Sequence, residues 1–291
     1  MARPALTVAL LLSSSTLIDA CLQWLPTNRY ESIVLSVSEN ENLATTLISR
    51  QNDLDAVVIE QNLLNRVTRE NLLKAEMLFP AVIVGEVKGY VDYHPEELHL
   101  PGDQLVQLGY SIDAAISRFL RQDRSQESTD AATKAVGTLS RRLQARLGYL
   151  DVFYKRDPSR FLVRLAPDER KELLESLHRT YRNLLVSYFS DPAAADQALE
   201  NFVNAAFFID LPITCTVEIH VNLIDEFWKQ LRLEGHKNDF LQDYRLALLD
   251  VMAHLCEMFR RSIPPDIPLS GTVLDYPSRE VDQSVVSNES S

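Results

Sequence analysis

Up to Gln122 the apolar positions fall into short unbroken runs separated by segments with helical spacing. LTVALLLS (Leu6–Ser13), YESIVLSV (Tyr30–Val37), AVVIE (Ala56–Glu60) and PAVIVG (Pro80–Gly85) are short and near-continuously apolar, which predicts strands of a parallel sheet covered on both faces, with LHL (Leu98–Leu100) a fifth. Between them TLIDACLQWL (Thr16–Leu25), NENLATTLISRQ (40–51), NLLNRVTRENLLKAEML (62–78) and SIDAAISRFLRQ (Ser111–Gln122) repeat their apolar residues at three- and four-residue steps and predict helices. EVKGYVDYHPEE (86–97) lacks that period, so one crossover helix is missing or short. Strands alternating with helices give a doubly wound parallel sheet of flavodoxin-like order.

A polar, charged stretch, RQDRSQESTDAATKAVG (Arg121–Gly137), then separates this unit from a purely helical one. Beyond Arg160 four amphipathic segments follow one another: 168–189 after Pro167, 194–208 after Asp191-Pro192, 213–235 after Pro212, and 240–263 capped by Asn238 or Asp239 and closed by Pro264-Pro265. Short connections between them read as a four-helix bundle. The expected division is an α/β domain over 1–122, a connecting segment over 123–165, an all-α domain over 166–264, and a disordered tail over 265–291.

Charge narrows the partners. The 291 residues carry 29 Lys+Arg against 41 Asp+Glu, and the net charge of −12 repels nucleic acid and anionic membrane surfaces, so proteins are the expected partners. Three cysteines (Cys21, Cys215, Cys256) form no CxxC pair and have no histidine companions at zinc spacing, so no metal centre is expected. The N-terminal run ALTVALLL before Cys21 faintly suggests a lipoprotein signal, but it is only strand-length, and Pro4 and Asp19 interrupt the pattern. A buried first strand in a cytoplasmic protein is the stronger reading.

The closing acid of AVVIE, Glu60, stands where a signalling receiver keeps its phosphorylatable aspartate. Aspartyl phosphorylation also needs acids after the first strand for a divalent cation, a hydroxyl after the fourth and a lysine after the fifth. Those places hold Ser13, Gly85 and Leu100. All the parts are lost, so phosphotransfer is not expected, and Glu60 is either a solvated acid at a strand end or part of a rim that binds another protein or a small ligand in the switch-point crevice. No nucleophile–base pair can be assembled elsewhere, and an enzyme is not expected.

Interaction signals concentrate in the helices. On 240–263, Leu248, Leu249, Met252, Leu255, Cys256 and Phe259 form a core stripe, and Asp243, Asp250, His254, Glu257 and Arg261 recur along another face, as either a solvated face or a recognition groove. Segment 213–235 has two apolar stripes, Val217, Val221, Ile224, Trp228 and Leu231 on one side and Ile219, Leu223 and Phe227 on another. Phe202, Val203, Phe207, Phe208 and Ile209 make the preceding helix apolar almost all round. A lone bundle buries one face per helix, so a homodimer is the preferred account of both. His220, set among apolar residues, is expected in the core or an interface.

RLGYLDVFYKRDPSRFL (Arg146–Leu162), NFVNAAFFIDLPIT, VEIH with DEFWKQLRLEG, and DYRLALLDVMAHLCEMFRRSIP together resemble the C-terminal half of the KaiA family of cyanobacterial circadian clock activators. The N-terminal part is similar in pattern, including its degenerate receiver positions. The resemblance implies a pseudo-receiver domain and a dimerising four-helix bundle in a domain-swapped homodimer. It further implies that the bundle binds the C-terminal tail of the kinase KaiC and stimulates its autophosphorylation, and that a KaiB–KaiC complex later sequesters the activator. By motif position the tail groove holds Arg232, Arg245, Asp250, His254 and Glu257, with Phe207, Phe208, Phe227 and Trp228 packing at the groove and dimer interface. No cofactor is required, although oxidised quinone is an implied ligand of the pseudo-receiver or dimer region. The alternatives are a permanently "on" receiver-type adaptor, with Glu60 mimicking phosphoaspartate, and a quinone-sensing regulator without kinase activation.

Overall fold

The computed structural model describes residues 6–35, 43–74, 78–125, 138–143, 156–233 and 243–263. The expected Asn238/Asp239 cap, most of the connecting segment, the Arg146–Lys155 part of the family motif and the tail lie outside them. Strands β1 (Leu6–Leu11), β2 (Tyr30–Val34), β3 (Ala56–Glu60), β4 (Ala81–Val84) and β5 (Leu98–Leu100) form one parallel sheet in the order β2-β1-β3-β4-β5. Helices α1 (Ser15–Trp24), α2 (Leu43–Ser49), α3 (Arg66–Lys74) and α4 (Leu108–Ser125) flank it. No helix joins β4 to β5, as the missing period over 86–97 predicts. Every residue of β1 and β4 is buried, because a parallel sheet covered on both faces has no polar side to offer water.

The second unit consists of α5 (Pro167–Ser187), α6 (Pro192–Phe208), α7 (Ile213–Leu233) and α8 (Arg245–Arg261). Their starts follow local chemistry. Pro167 and Pro192 occupy first-turn positions where their missing N–H costs nothing, and the Asp191 carboxylate accepts from the Ala194 N–H at 3.1 Å. Arg260 and Arg261 sit in the last turn of α8, where the helix dipole favours cations.

α6 organises the molecule. Phe202, Val203, Ala205, Ala206, Phe207 and Phe208 are all buried, on every side of the helix. It packs on α5 and α8 within the bundle and on α4 and β5 of the α/β domain. The all-round apolar pattern that suggested a dimer interface is covered by the receiver-like domain, so by itself it does not require a further surface from a second bundle. Polar clamps surround this joint: the Gln197 side chain accepts from the Gly89 N–H (2.9 Å) and donates to the Tyr90 carbonyl (2.9 Å), while Arg118 of α4 pairs with Glu200 of α6 and with Glu96. Gly89 has φ +74° and faces Ala193 and Ala194 so closely that a Cβ would lie 2.6 Å from the Ala193 methyl. Only glycine permits that approach.

The segment expected as a linker also carries structure where it is described. A helical turn at 138–143 buries Leu139 and Leu143 and places Arg142 on the buried Asp55 carboxylate at 3.2 Å. Residues 156–166 strap the two domains together. Arg160 and Arg29 converge on the buried Asp113 (2.8 and 2.7 Å), which also accepts from the Tyr30 hydroxyl at 2.7 Å. Arg156 lies among the rings of Phe161, Phe207 and Phe259, 4.8–5.3 Å from their centroids, and pairs with Asp210. The Leu162 N–H donates to the Ile209 carbonyl at 2.7 Å.

Phe202 is fully buried and meets Tyr181 edge-on at 4.7 Å. Phe202→Ala leaves a cavity at the centre of the bundle and is expected to cost about 3–5 kcal/mol in urea unfolding.

Candidate protein-interaction sites

The carboxyl edge of the sheet is closed. β1 and β3 are neighbours, so their ends bring Ser13 beside Glu60. The Glu60 carboxylate accepts from both the Ser13 N–H and the Ser13 hydroxyl, each at 2.7 Å. Glu60 is half-buried and tied back to β1, not the freely solvated acid its position suggests. Gln61 fills the space that a hydroxyl-bearing side chain would need at Gly85, where a Cβ would come 2.4 Å from its Oε1. That Oε1 accepts from the Glu86 N–H (3.0 Å). Leu100, in the lysine position, is buried and paired with Val84. Among the described residues, no acid from β1 or the turn after it stands beside Glu60, so the paired acids that hold a receiver's divalent cation are missing there.

The bundle roofs this same edge. A crevice of about 580 Å³ lies between Gly85, Val87, Pro101 and Gly102 on one side and Asn183, Ser187, Ala194 and Ala198 on the other. Where a receiver presents its reactive edge to a partner, this chain presents it to its own second domain.

Among the described residues, two helix faces are left exposed. On α7, Ile219 and Leu223 are buried together with His220, whose Nδ1 is 3.1 Å from the Tyr181 hydroxyl and whose pKa burial lowers. The opposite stripe is open: Val221 is 56% exposed, Val217 is exposed, and Ile224 and Trp228 are half-buried. The side chain of Leu231 lies outside the described residues. Arg232, at the end of α7, stacks on the Trp228 ring at 5.1 Å.

On α8 the core face is rotated from the expected stripe. Ala247, Val251, Leu255 and Met258 point inward, whereas Leu249 is 63% exposed and Cys256 is exposed. Leu248, Met252 and Phe259 flank the core face. The reason is the neighbour: α8 rests on α6, and Phe259 meets Phe207 at 5.1 Å, which sets the angle at which the helix sits. Phe207 packs on Phe208 beneath it (5.3 Å), and Phe227 of α7 meets Tyr244, just before α8, at 6.3 Å.

Asp250, His254 and Glu257 recur on one outward line of α8, at steps of four and three. Arg245 is exposed at the start of the helix. Asp250 accepts from the Tyr188 hydroxyl, whose pKa burial and this carboxylate push up to about 12. The His254 Nδ1 is 2.8 Å from the Asp250 carbonyl, which fixes the ring and leaves Nε2 outward. Hydrogen bonds from Arg260 and Arg261 hold the Glu257 carboxyl down to about 2.

The pattern matches known proteins over nearly its whole length. Residues 145–266 match the KaiA C-terminal domain and residues 6–123 the N-terminal domain of circadian clock protein KaiA. The circadian clock oscillator protein KaiA of Parasynechococcus marenigrum is 67% identical over 97% of both chains. The chain belongs to the KaiA family. The KaiA of Synechococcus elongatus is 38% identical over 89% of this chain and 98% of its own. The crystal structure of the Thermosynechococcus elongatus BP-1 KaiA C-terminal domain is 46% identical, covering 35% of this chain and 95% of that one, with a TM-score of 0.31. The family assignment makes this a circadian clock protein, and no described helix is long and apolar enough to cross a membrane.

For a KaiA-family chain, the expected site residues divide cleanly. Phe207 and Phe208 are core, and Asp250, His254 and Glu257 share one free face. Arg232 and Arg245 stand exposed on α7 and α8. The clamps of the domain joint, Gly89, Gln197 and Arg118, went unread. Their only sequence signal is a glycine in a loop with no helical period, which names no partner. With Glu60 locked on Ser13, incubation with acetyl phosphate and magnesium is expected to leave the intact mass unchanged, and a stable adduct of one phosphoryl group would overturn this account.

Proposed function

We propose that this protein is a non-enzymatic activator that captures the C-terminal tail of KaiC in a groove built by α8 and by a second copy of the chain, and that a KaiB–KaiC complex later sequesters it. The observation that carries the proposal is the outward line of α8, where Asp250, His254 and Glu257 stand next to the exposed Leu249 and Leu246. Polar contacts beside apolar anchors suit an extended or helical peptide. Such a groove does no chemistry. It acts by binding one KaiC conformation better than another, and the closed receiver edge agrees with that division of labour. An oxidised quinone would fit the 580 Å³ crevice in size, with the Asn183 amide as a donor to a carbonyl, but activation requires no cofactor.

The second copy enters through α7. Its outer stripe of Val217, Val221, Ile224 and Trp228 has no cover among the described residues, and a twofold axis there buries it against itself. A domain swap preserves every contact of the α4–α6 joint and moves it between copies.

In a KaiC autophosphorylation assay the wild-type chain is expected to stimulate and His254→Ala to bind the tail about 5- to 30-fold more weakly, corresponding to about 1–2 kcal/mol. Absence of stimulation by the wild type removes the functional proposal, whereas an unimpaired variant removes only the groove assignment. The swap has its own measurement. With Cys215 and Cys256 changed to serine, Arg118→Cys and Glu200→Cys joined by a short bifunctional maleimide are expected to yield a covalent dimer. A linked monomer would show that the joint closes within one chain.

A further inference from the structure

The loop that replaces the missing crossover helix gathers a donor set that the sequence pattern did not reveal. His99, the central residue of β5, is buried, with its side chain 2% exposed. Its Nε2 is fully enclosed. It points between two carboxylates, with Asp92 Oδ2 at 3.2 Å and Glu97 Oε1 at 3.1 Å. Among the described residues this is the cluster of metal-ligating side chains whose donor atoms all lie within 4.8 Å of one another.

The spacing is chemically specific. Zinc bonds of about 2.0–2.1 Å to imidazole and carboxylate place tetrahedral ligand atoms about 3.3–3.4 Å apart, close to the two separations at His99. One nitrogen and two carboxylate oxygens suit a divalent ion of the zinc class, with water completing the shell. The surroundings orient the donors as a metal site requires. The Asp92 N–H donates to Glu97 Oε1 at 2.5 Å, the Tyr93 N–H donates to Glu97 Oε2 at 2.6 Å, and Gln61 Nε2 donates to Asp92 Oδ2 at 2.8 Å. The Gln197 side chain of α6 adjoins the imidazole while it clasps Gly89 and Tyr90.

We propose that Asp92, Glu97 and His99 form a binding site for one divalent transition-metal ion, with zinc the fitting probe, at the joint between the two domains. The ion rivets the 86–97 loop to β5 and, through Gln197, to the N-terminal end of α6. It sits beside the closed receiver edge but does not serve it, since Glu60 is held by Ser13 and takes no part.

The test uses the full chain, free of any affinity tag, stripped with a chelator and dialysed. Zinc chloride titrated by calorimetry is expected to bind one equivalent with micromolar or tighter affinity, and cobalt(II) to develop the intense visible absorption of a four-coordinate site. His99→Ala is expected to abolish the bound equivalent. Because a buried substitution can unfold the domain, Asp92→Asn on the loop is the second variant. It should keep the far-ultraviolet circular dichroism and lose at least about 10-fold in affinity. His254→Ala, on the far exposed face of α8, should bind as wild type. Hydrogen exchange should show added protection over 86–97 when zinc is present. Failure to retain one equivalent, or retention undiminished in both Asp92→Asn and His99→Ala, overturns the proposal and leaves His99 as an imidazolium paired with two carboxylates.

Discussion

The burial of the C-terminal half of α6 on all sides is the constraint on which the rest depends. A stretch carrying Phe202, Phe207 and Phe208 around its circumference cannot face water along any line. α5 and α8 cover part of it and α4 and β5 cover the remainder, so the bundle is completed by a piece of the other domain. The strap at 156–166 and the clamps at Gly89, Gln197 and Arg118 then fix the angle of that contact. Much of this polar joint is enclosed, so removing one member would strand a charge or donor away from water and cost more than the pair contributes.

This arrangement explains what became of the receiver architecture. A phosphoacceptor edge must stay open to a phosphodonor and to a cation. Here the edge is closed from within by the Glu60–Ser13 bonds and by Gln61 over Gly85, and the bundle lies across it. The sheet retains its order and twist because they arise from burial of β1, β3 and β4. Those terms are indifferent to whether the strand ends carry chemistry. Among the described residues, exposed apolar side chains instead gather on the outer faces of α7 and α8.

Periodicity served well where one local rule decided the outcome. Short, largely apolar runs marked the five strands, and the absence of a helical period over 86–97 marked the crossover without a helix. Proline and aspartate starts located α5 and α6. The lost receiver residues were legible too, since Ser13, Gly85 and Leu100 simply lack the needed groups. Facing was harder. Leu249 and Cys256 match an apolar stripe at helical spacing, yet α8 turns Ala247, Val251, Leu255 and Met258 inward because Phe259 must meet Phe207. The two apolar sides of α6 and α7 look alike in sequence, but one is covered by α4 and the other stays open.

The sequence by itself determined the strand and helix inventory, the family, and the loss of phosphoacceptor chemistry, because each depends on residue type at short range. Tertiary structure alone decided which apolar surplus is satisfied inside the chain, how Glu60 is held, and that Asp92, Glu97 and His99 converge. Those outcomes rest on contacts between residues distant in sequence, from Ser13 to Glu60 and from Gly89 to Gln197. Their geometry is set by how whole faces pack, and neither hydrophobic period nor motif spacing encodes it.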